Sequence, residues 1–227
     1  MCNRFTLSTD KVDLQSRYGF IDPDGVLLKP RYNIAPTQYS STAVVNRDIR
    51  ELKMMRWGLV SFWARDIKIG NKLTNAKAET LTEKRSYKRS FREKRCLILA
   101  DGFYEWKEVN KRKIPFRFVL KTRKPFSFAG LWDEWKTPEG DKLLSFTMIT
   151  TSPNSLIEPI HGRMPVILHP QDESKWLDPE LKDTDKLSEL LVPFPSDLME
   201  AYEVSTIVNY YKKDSPDCIR PVAHSMP

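Results

Sequence analysis

Cysteine, histidine and glycine are all scarce in this chain: its 227 residues hold three, three and eight. The three cysteines, Cys2, Cys96 and Cys218, are an odd number without CxxC spacing, which excludes a disulfide framework and a zinc knot and suits a reducing, cytoplasmic setting. No glycine-rich phosphate loop, HExxH helix or GxSxG elbow is present, so nucleotide hydrolysis, zinc hydrolysis and the serine-hydrolase fold are poor fits, and neither a metal nor a cofactor is expected. No apolar run approaches the roughly 20 residues that cross a bilayer. The start, MCNRFTLSTDK, lacks the apolar stretch of a secretory signal. Internal repeats are missing too.

What is present is charge, unevenly placed. The net charge is +7, with 25 Lys and Arg against 13 Asp and Glu in residues 1–120, and 12 against 17 in residues 121–227. A basic first half and an acidic second half suggest one face that meets a polyanion, nucleic acid foremost. The densest basic run is Glu83 to Arg95, EKRSYKRSFREKR, read either as a solvated helix face or as a phosphate-attracting one.

Short β-type runs recur at Thr42 to Val45, Cys96 to Ala100, Phe116 to Leu120, Phe126 to Ala129, Leu143 to Thr151, Pro165 to Leu168 and Tyr202 to Ser205. Helical patterns are fewer: Ala78 to Glu93, Ser155 to Ile160, Asp172 to Leu177 and Asp185 to Leu191. Strands without regular alternation with helices predict one α+β domain over residues 1–227, its mainly antiparallel sheets curled into an open barrel-like core with helices outside. Sixteen prolines stiffen the loops.

The second residue is the chemical signal. Once Met1 is removed, Cys2 carries an α-amine and a thiol two carbons apart. Such a 1,2-aminothiol condenses with an aldehyde and closes to a thiazolidine, and both groups titrate near neutrality when unperturbed. Groups that would serve it are at hand. Glu105, in ADGFYEW, follows an apolar strand and sits among aromatic residues that raise a carboxyl pKa toward acid/base use; an exposed turn acid is the alternative. His161 in EPIHGRMPVIL stands two residues from Arg163, so in extended chain both point to one side, an imidazole for proton exchange and a guanidinium for phosphate. His169 and His224 lie in turn-like and tail contexts. Asn75, in LTNAKAET, either caps the following helix or binds the amine or a substrate hydroxyl, with Lys77 as a point charge for phosphate. Trp57, Phe62 and Trp63 form an aromatic cluster; Trp57 suits the core, whereas Trp63 and Trp106 suit stacking on bases of a single strand.

Taken in order, MCNRF, RYNIAPTQ, MRWGLV, TNAKAET, ADGFYEW, FAGLW, HGRMPVIL and EVSTIVNY resemble the SRAP family, the SOS-response-associated peptidase-like proteins that include the HMCES type. The resemblance implies a curled antiparallel sheet core and covalent capture of abasic sites in single-stranded DNA through the N-terminal cysteine. It implies Cys2 as nucleophile, Asn75 as positioner of amine and sugar, Glu105 as proton carrier, His161 as the aid to sugar opening, and Arg4, Lys77 and Arg163 as backbone contacts. A DNA-damage role as a cytoplasmic monomer, nucleoid-associated on DNA and with self-removal of Met1, follows from it. Two other functions fit the same residues: a self-processing cysteine peptidase or N-terminal-nucleophile hydrolase, and a non-covalent single-strand-binding module. Two positions depart from the family pattern. Asn3 replaces the usual glycine, and Lys77 replaces the arginine of NARAET.

Overall fold

The computed structural model describes residues 2–222; Met1 and His224 lie outside that range. Two sheets share twelve strands, numbered in chain order. The first contains β1 (Phe5–Leu7), β2 (Arg31–Ile34), β7 (Gly102–Val109), β8 (Arg112–Leu120) and β12 (Met199–Glu203), ordered β12-β8-β7-β1-β2. The second contains β3 (Tyr39–Asn46), β4 (Ile49–Trp57), β5 (Asn75–Lys77), β6 (Arg95–Ala100), β9 (Phe126–Lys136), β10 (Lys142–Thr151) and β11 (Met164–Pro165). Strand β10 pairs antiparallel with β9 and parallel with β4, so the path β10-β4-β3-β6-β9 returns to β10 and the sheet closes on itself. The expected α+β design of curled, mainly antiparallel sheets is therefore the one built, and here the curl runs to closure, which leaves the ring no open edge.

Aromatic residues join the two sheets. Phe5 on β1 meets Trp57 on β4 edge-on at 5.1 Å between ring centroids and Phe128 on β9 at 5.9 Å, while Phe103 and Phe118 stack at 5.0 Å. All five rings are buried, and burial of each is worth about 1.5–3 kcal/mol. The N-terminal strand thus plugs directly into the barrel. Trp57 is core, as its sequence setting suggests, and its Nε1–H donates to the Thr74 carbonyl at 2.8 Å, tying the core to the residue before Asn75.

Helices differ more from their patterns. Helix α1 (Lys11–Tyr18) was not among the helical patterns, yet it has clear stops: the Asp10 carboxylate accepts from Asp13 N, and Gly19 closes it with φ of 63°. The stretch Ala78 to Glu93 is not one helix. Residues 75–77 are committed to pairing with β10, Ala78–Thr80 form a single 3-10 turn, and α2 (Arg85–Glu93) starts only after residues 81–84. Its first turn carries Lys84 and Arg85 with no side-chain cap, a poor match for the positive end of a helix dipole. Ser155 to Ile160 makes turns instead of a helix, because Pro159 lacks the amide that a ladder needs. Short helix α3 (Glu173–Leu177) falls within the pattern Asp172 to Leu177, and α4 (Thr184–Ser188) overlaps Asp185 to Leu191, starting one residue earlier. Pro165 to Leu168 belongs to a named strand only at its start and then pairs through a single antiparallel bridge, Ile167 with Phe128, Val166 N donating to Ile149 O and Leu168 N to Ser127 O. Among the described residues no helix is long and apolar enough to cross a membrane.

Candidate active site at the N-terminal strand

A buried carboxylate fixes the N-terminal strand. Asp101 accepts hydrogen bonds from Thr6 Oγ1 (2.5 Å), Ser8 N (2.5 Å), Thr9 N (2.9 Å) and Arg117 Nη2 (3.2 Å). Gly102 lets the guanidinium lie flat against the chain, since a Cβ there would come within 2.7 Å of Arg117 Nε. With β1 so held, Tyr104 N donates to Arg4 O at 3.0 Å, which brings β7 and its Glu105 alongside Cys2.

Four segments meet at this point. Cys2 precedes β1, Asn75 opens β5, Glu105 lies on β7, and His161 sits between β10 and β11. Asn75 Nδ2 donates to Cys2 O and to Asn3 Oδ1, each at 3.0 Å, so its amide bridges the two sheets. It is not a helix cap; it pairs with Met148 of β10 and no helix begins there. Glu105 is 2 % exposed, and its Oε1 has no hydrogen-bond partner among the described residues. Burial pushes its carboxyl up to about 8. His161 Nδ1 stands 3.8 Å from Glu105 Oε1, 2.9 Å from Arg163 O and 3.1 Å from Arg163 N, and the tautomer that donates to the nearer carbonyl leaves Nε2 its lone pair; burial holds the imidazole below its ordinary value. At neutral pH both groups are therefore biased to their uncharged forms, a protonated acid beside a neutral base.

The thiol differs from its sequence expectation. Cys2 is fully buried, with Sγ 3.6 Å from Arg4 O and 4.0 Å from Tyr104 O. Burial first, and the nearby Glu105 second, push the thiol well above its ordinary value instead of leaving it near neutrality. In a chain that carries Met1, residue 2 also has no free amine.

Beside these residues opens a cavity of about 750 Å³ lined by Asn3, Arg4, Glu105, Trp106, His161 and Asn209, among others. Arg4 is a strut as well as a lining residue. Its guanidinium donates to Asn33 Oδ1 (2.9 Å), Val208 O (2.7 Å) and Asn209 O (3.4 Å). Asn33, fully buried and absent from the sequence-based candidates, also donates to Val208 O and Lys213 O. The RYN segment thereby holds the loop whose Asn209 Oδ1 accepts from Trp106 Nε1 at 2.7 Å. The half-buried indole forms part of the cavity wall.

Arg163 departs from expectation too. The chain turns at Gly162, with Arg163 N returning to His161 Nδ1, so the two side chains part. Arg163 grips Glu79 through both terminal nitrogens (2.7 and 3.0 Å) and donates to Thr150 O (2.5 Å), a fastening between elements of the second sheet. Lys77 stands exposed at the end of β5. Trp63 is half-buried with the Arg85 guanidinium 4.7 Å from its ring centroid, and the exposed Phe62 has Arg89 at 4.5 Å. These two pairs join the basic face of α2 to the aromatic cluster. No group of three or more His, Cys, Asp or Glu side chains is placed to hold a metal among the described residues.

The chain has relatives along most of its length. The family profile described as SOS response associated peptidase (SRAP) matches residues 1–211. The abasic site processing protein YoqW of Bacillus subtilis is 47% identical over 222 residues, which cover 96% of this chain and 99% of that one. The abasic site processing protein HMCES of Xenopus tropicalis is 33% identical over 233 residues, covering 88% of this chain and 69% of that protein. A crystal structure of a protein from Bacteroides thetaiotaomicron superposes with a TM-score of 0.89 at 29% identity, over 98% of this chain and all of that one.

Proposed function

Because the chain belongs to the SOS response associated peptidase (SRAP) family, we propose that it processes abasic sites, capturing them in single-stranded DNA as a covalent thiazolidine at Cys2 after loss of Met1. The observation that carries this reading is the meeting of Cys2, Asn75, Glu105 and His161, from four separate segments, beside one cavity.

The chemistry balances without a cofactor. The α-amine adds to C1 of the ring-opened deoxyribose, and the resulting carbinolamine loses water to give an imine. The S–H bond of Cys2 then adds across C=N, sulfur to carbon and the proton to nitrogen. Glu105, held protonated at neutral pH, suits delivery of a proton to the departing hydroxyl and its recovery from the carbinolamine nitrogen as the imine forms. His161, held neutral, suits removal of the hydroxyl proton as the sugar opens. Asn75 fixes the Cys2 backbone through its carbonyl. Lys77, Trp63, Trp106 and the arginines of α2 supply charge and stacking surface for the strand, while Arg4 and Arg163 shape the site through their protein contacts.

Intact-mass measurement before and after incubation with an abasic oligonucleotide tests the reading. The expected product lacks Met1 and gains the oligonucleotide mass minus one water, and Cys2→Ala gains nothing. An equal adduct on Cys2→Ala, or no adduct on chain that has lost Met1, refutes it. Self-removal of Met1 is a further part of the reading, supported by the nearness of the raised Glu105 carboxyl to the Cys2 thiol. Purified Met1-bearing protein should then shorten by one residue on standing, and Glu105→Gln should slow this step.

A further inference from the structure

After Asn209, which lines the cavity, the chain reads YYKKD, and residues 210–213 make a tight turn closed by Lys213 N donating to Tyr210 O at 2.8 Å. Turns select glycine, proline, asparagine and aspartate, not paired tyrosines and lysines. This one is set from outside. The fully buried Asn33 donates through Nδ2 to Tyr210 O (3.2 Å) and Lys213 O (2.7 Å). Asp214 fastens the far end, its carboxylate accepting from Tyr32 N (2.5 Å), Asn33 N (3.0 Å) and the Arg31 guanidinium. The turn is thus ordered from within the protein, yet Tyr210 is 70% and Tyr211 53% exposed, with Lys212 and Lys213 in solvent beside them. Two rings on one fixed turn differ from apolar side chains scattered singly over a surface. With the Asp214 charge taken up by Arg31, the segment presents aromatic faces and positive charge together. Consecutive Cα atoms lie about 3.8 Å apart, so both tyrosines start within about 8 Å of Asn209, whose side chain is fixed to Trp106 in the cavity wall.

Resting on the proposed function, we propose that the turn at residues 210–213 is a stacking platform for unpaired nucleotides on one flank of the abasic site. Single-stranded DNA is the occupant this chemistry fits. Every base offers a face to Tyr210 or Tyr211 whatever the sequence, and the phosphates between bases meet Lys212 and Lys213. A strand leaving the cavity past Trp106 and Asn209 comes directly onto the turn. Because Asn33 and Asp214 already hold the loop, stacking there carries no cost of ordering it.

The test is anisotropy of fluorescein-labelled single strands carrying one tetrahydrofuran abasic analogue, which lacks the hydroxyl needed to open to an aldehyde, so binding is read without adduct. Wild type is compared with Tyr210→Ala plus Tyr211→Ala, and with Tyr210→Phe plus Tyr211→Phe. Each is measured on a strand with both flanks and on strands shortened to one side of the lesion, 5′ or 3′. Both rings are exposed, so thermal melts should match wild type. One stacked base is worth about five- to 150-fold in affinity. The alanine pair should therefore bind the full strand about tenfold or more weakly, and the phenylalanine pair within about twofold of wild type. Removing one flank should cost wild type that same factor and erase its advantage over the alanine pair, whereas removing the other should preserve the advantage. An alanine pair that binds the full strand like wild type, a phenylalanine pair as weak as the alanine pair, or a loss that persists whichever flank is removed overturns the platform. Wild type that binds the full strand but forms no adduct with a true abasic site sinks the proposed function and leaves the platform standing. Wild type that binds no strand ends both.

Discussion

Replacing Glu105 with glutamine should stabilise the protein, and increasingly so as pH rises. The carboxyl is 2 % exposed and titrates near 8 in the folded chain against an ordinary 4.5. Between those values the native state holds a proton that the unfolded state has released, so unfolding is favoured progressively as pH climbs through the window. At 1.36 kcal/mol per pH unit the whole interval amounts to about 5 kcal/mol, of which about 3 kcal/mol is already lost by pH 7. Glutamine keeps the shape and does not titrate. Urea unfolding of Met1-bearing wild type and Glu105→Gln at pH 5, 6, 7, 8 and 9, followed by tryptophan fluorescence, cancels the titrating groups remote from Glu105 in the difference. The variant should gain on wild type by roughly 3 to 5 kcal/mol between pH 5 and 9 and level off above 8. Parallel stability curves, or a wild type that gains on the variant with rising pH, would refute the argument that Glu105 ionises at the expense of the fold.

Asn75→Ala should cut the adduct rate at least tenfold while leaving oligonucleotide affinity within about twofold, read by comparing a gel time course with anisotropy of an intact strand. Arg85→Ala with Arg89→Ala should flatten the salt dependence of strand binding, by about 0.7 in logarithmic slope for each phosphate contact removed. Gly102→Ala should destabilise by about 1–3 kcal/mol in thermal or urea unfolding, because a methyl there collides with the buried Arg117 guanidinium. Arg163→Ala should lower the melting temperature while leaving that salt slope unchanged, since its partners are Glu79 and Thr150.

The sheet core was legible because its strands carry continuous apolar runs such as CLILA and β-branched ones such as FTMITT, whose burial leaves few other conformations open. Of the helical pattern Ala78 to Glu93, only the second half became a helix, α2. Asn75 to Lys77 have a neutral helix pattern, and it is pairing with a strand some seventy residues away that decides their fate. At the site, the candidate residues Cys2, Asn75, Glu105 and His161 are brought together, yet the sequence did not carry the contacts each one makes. Arg4 and Arg163 look like phosphate grips in a string, and become fastenings once their carbonyl and carboxylate partners arrive from residues 208–209 and 79. Asn33 passed unnoticed because a lone asparagine in a strand has no pattern; its signal is three-dimensional, a fully buried amide that collects the carbonyls of a distant loop. Burial of Cys2 was hidden for the same reason, since the second residue of a chain is ordinarily at the surface.

That burial has a bearing on how the protein endures before it is used. Peroxides and alkylating compounds attack the deprotonated sulfur, and they must first reach it. A thiol kept protonated by its surroundings and shut away from solvent meets neither condition, so Cys2 is held in an oxidation-resistant form.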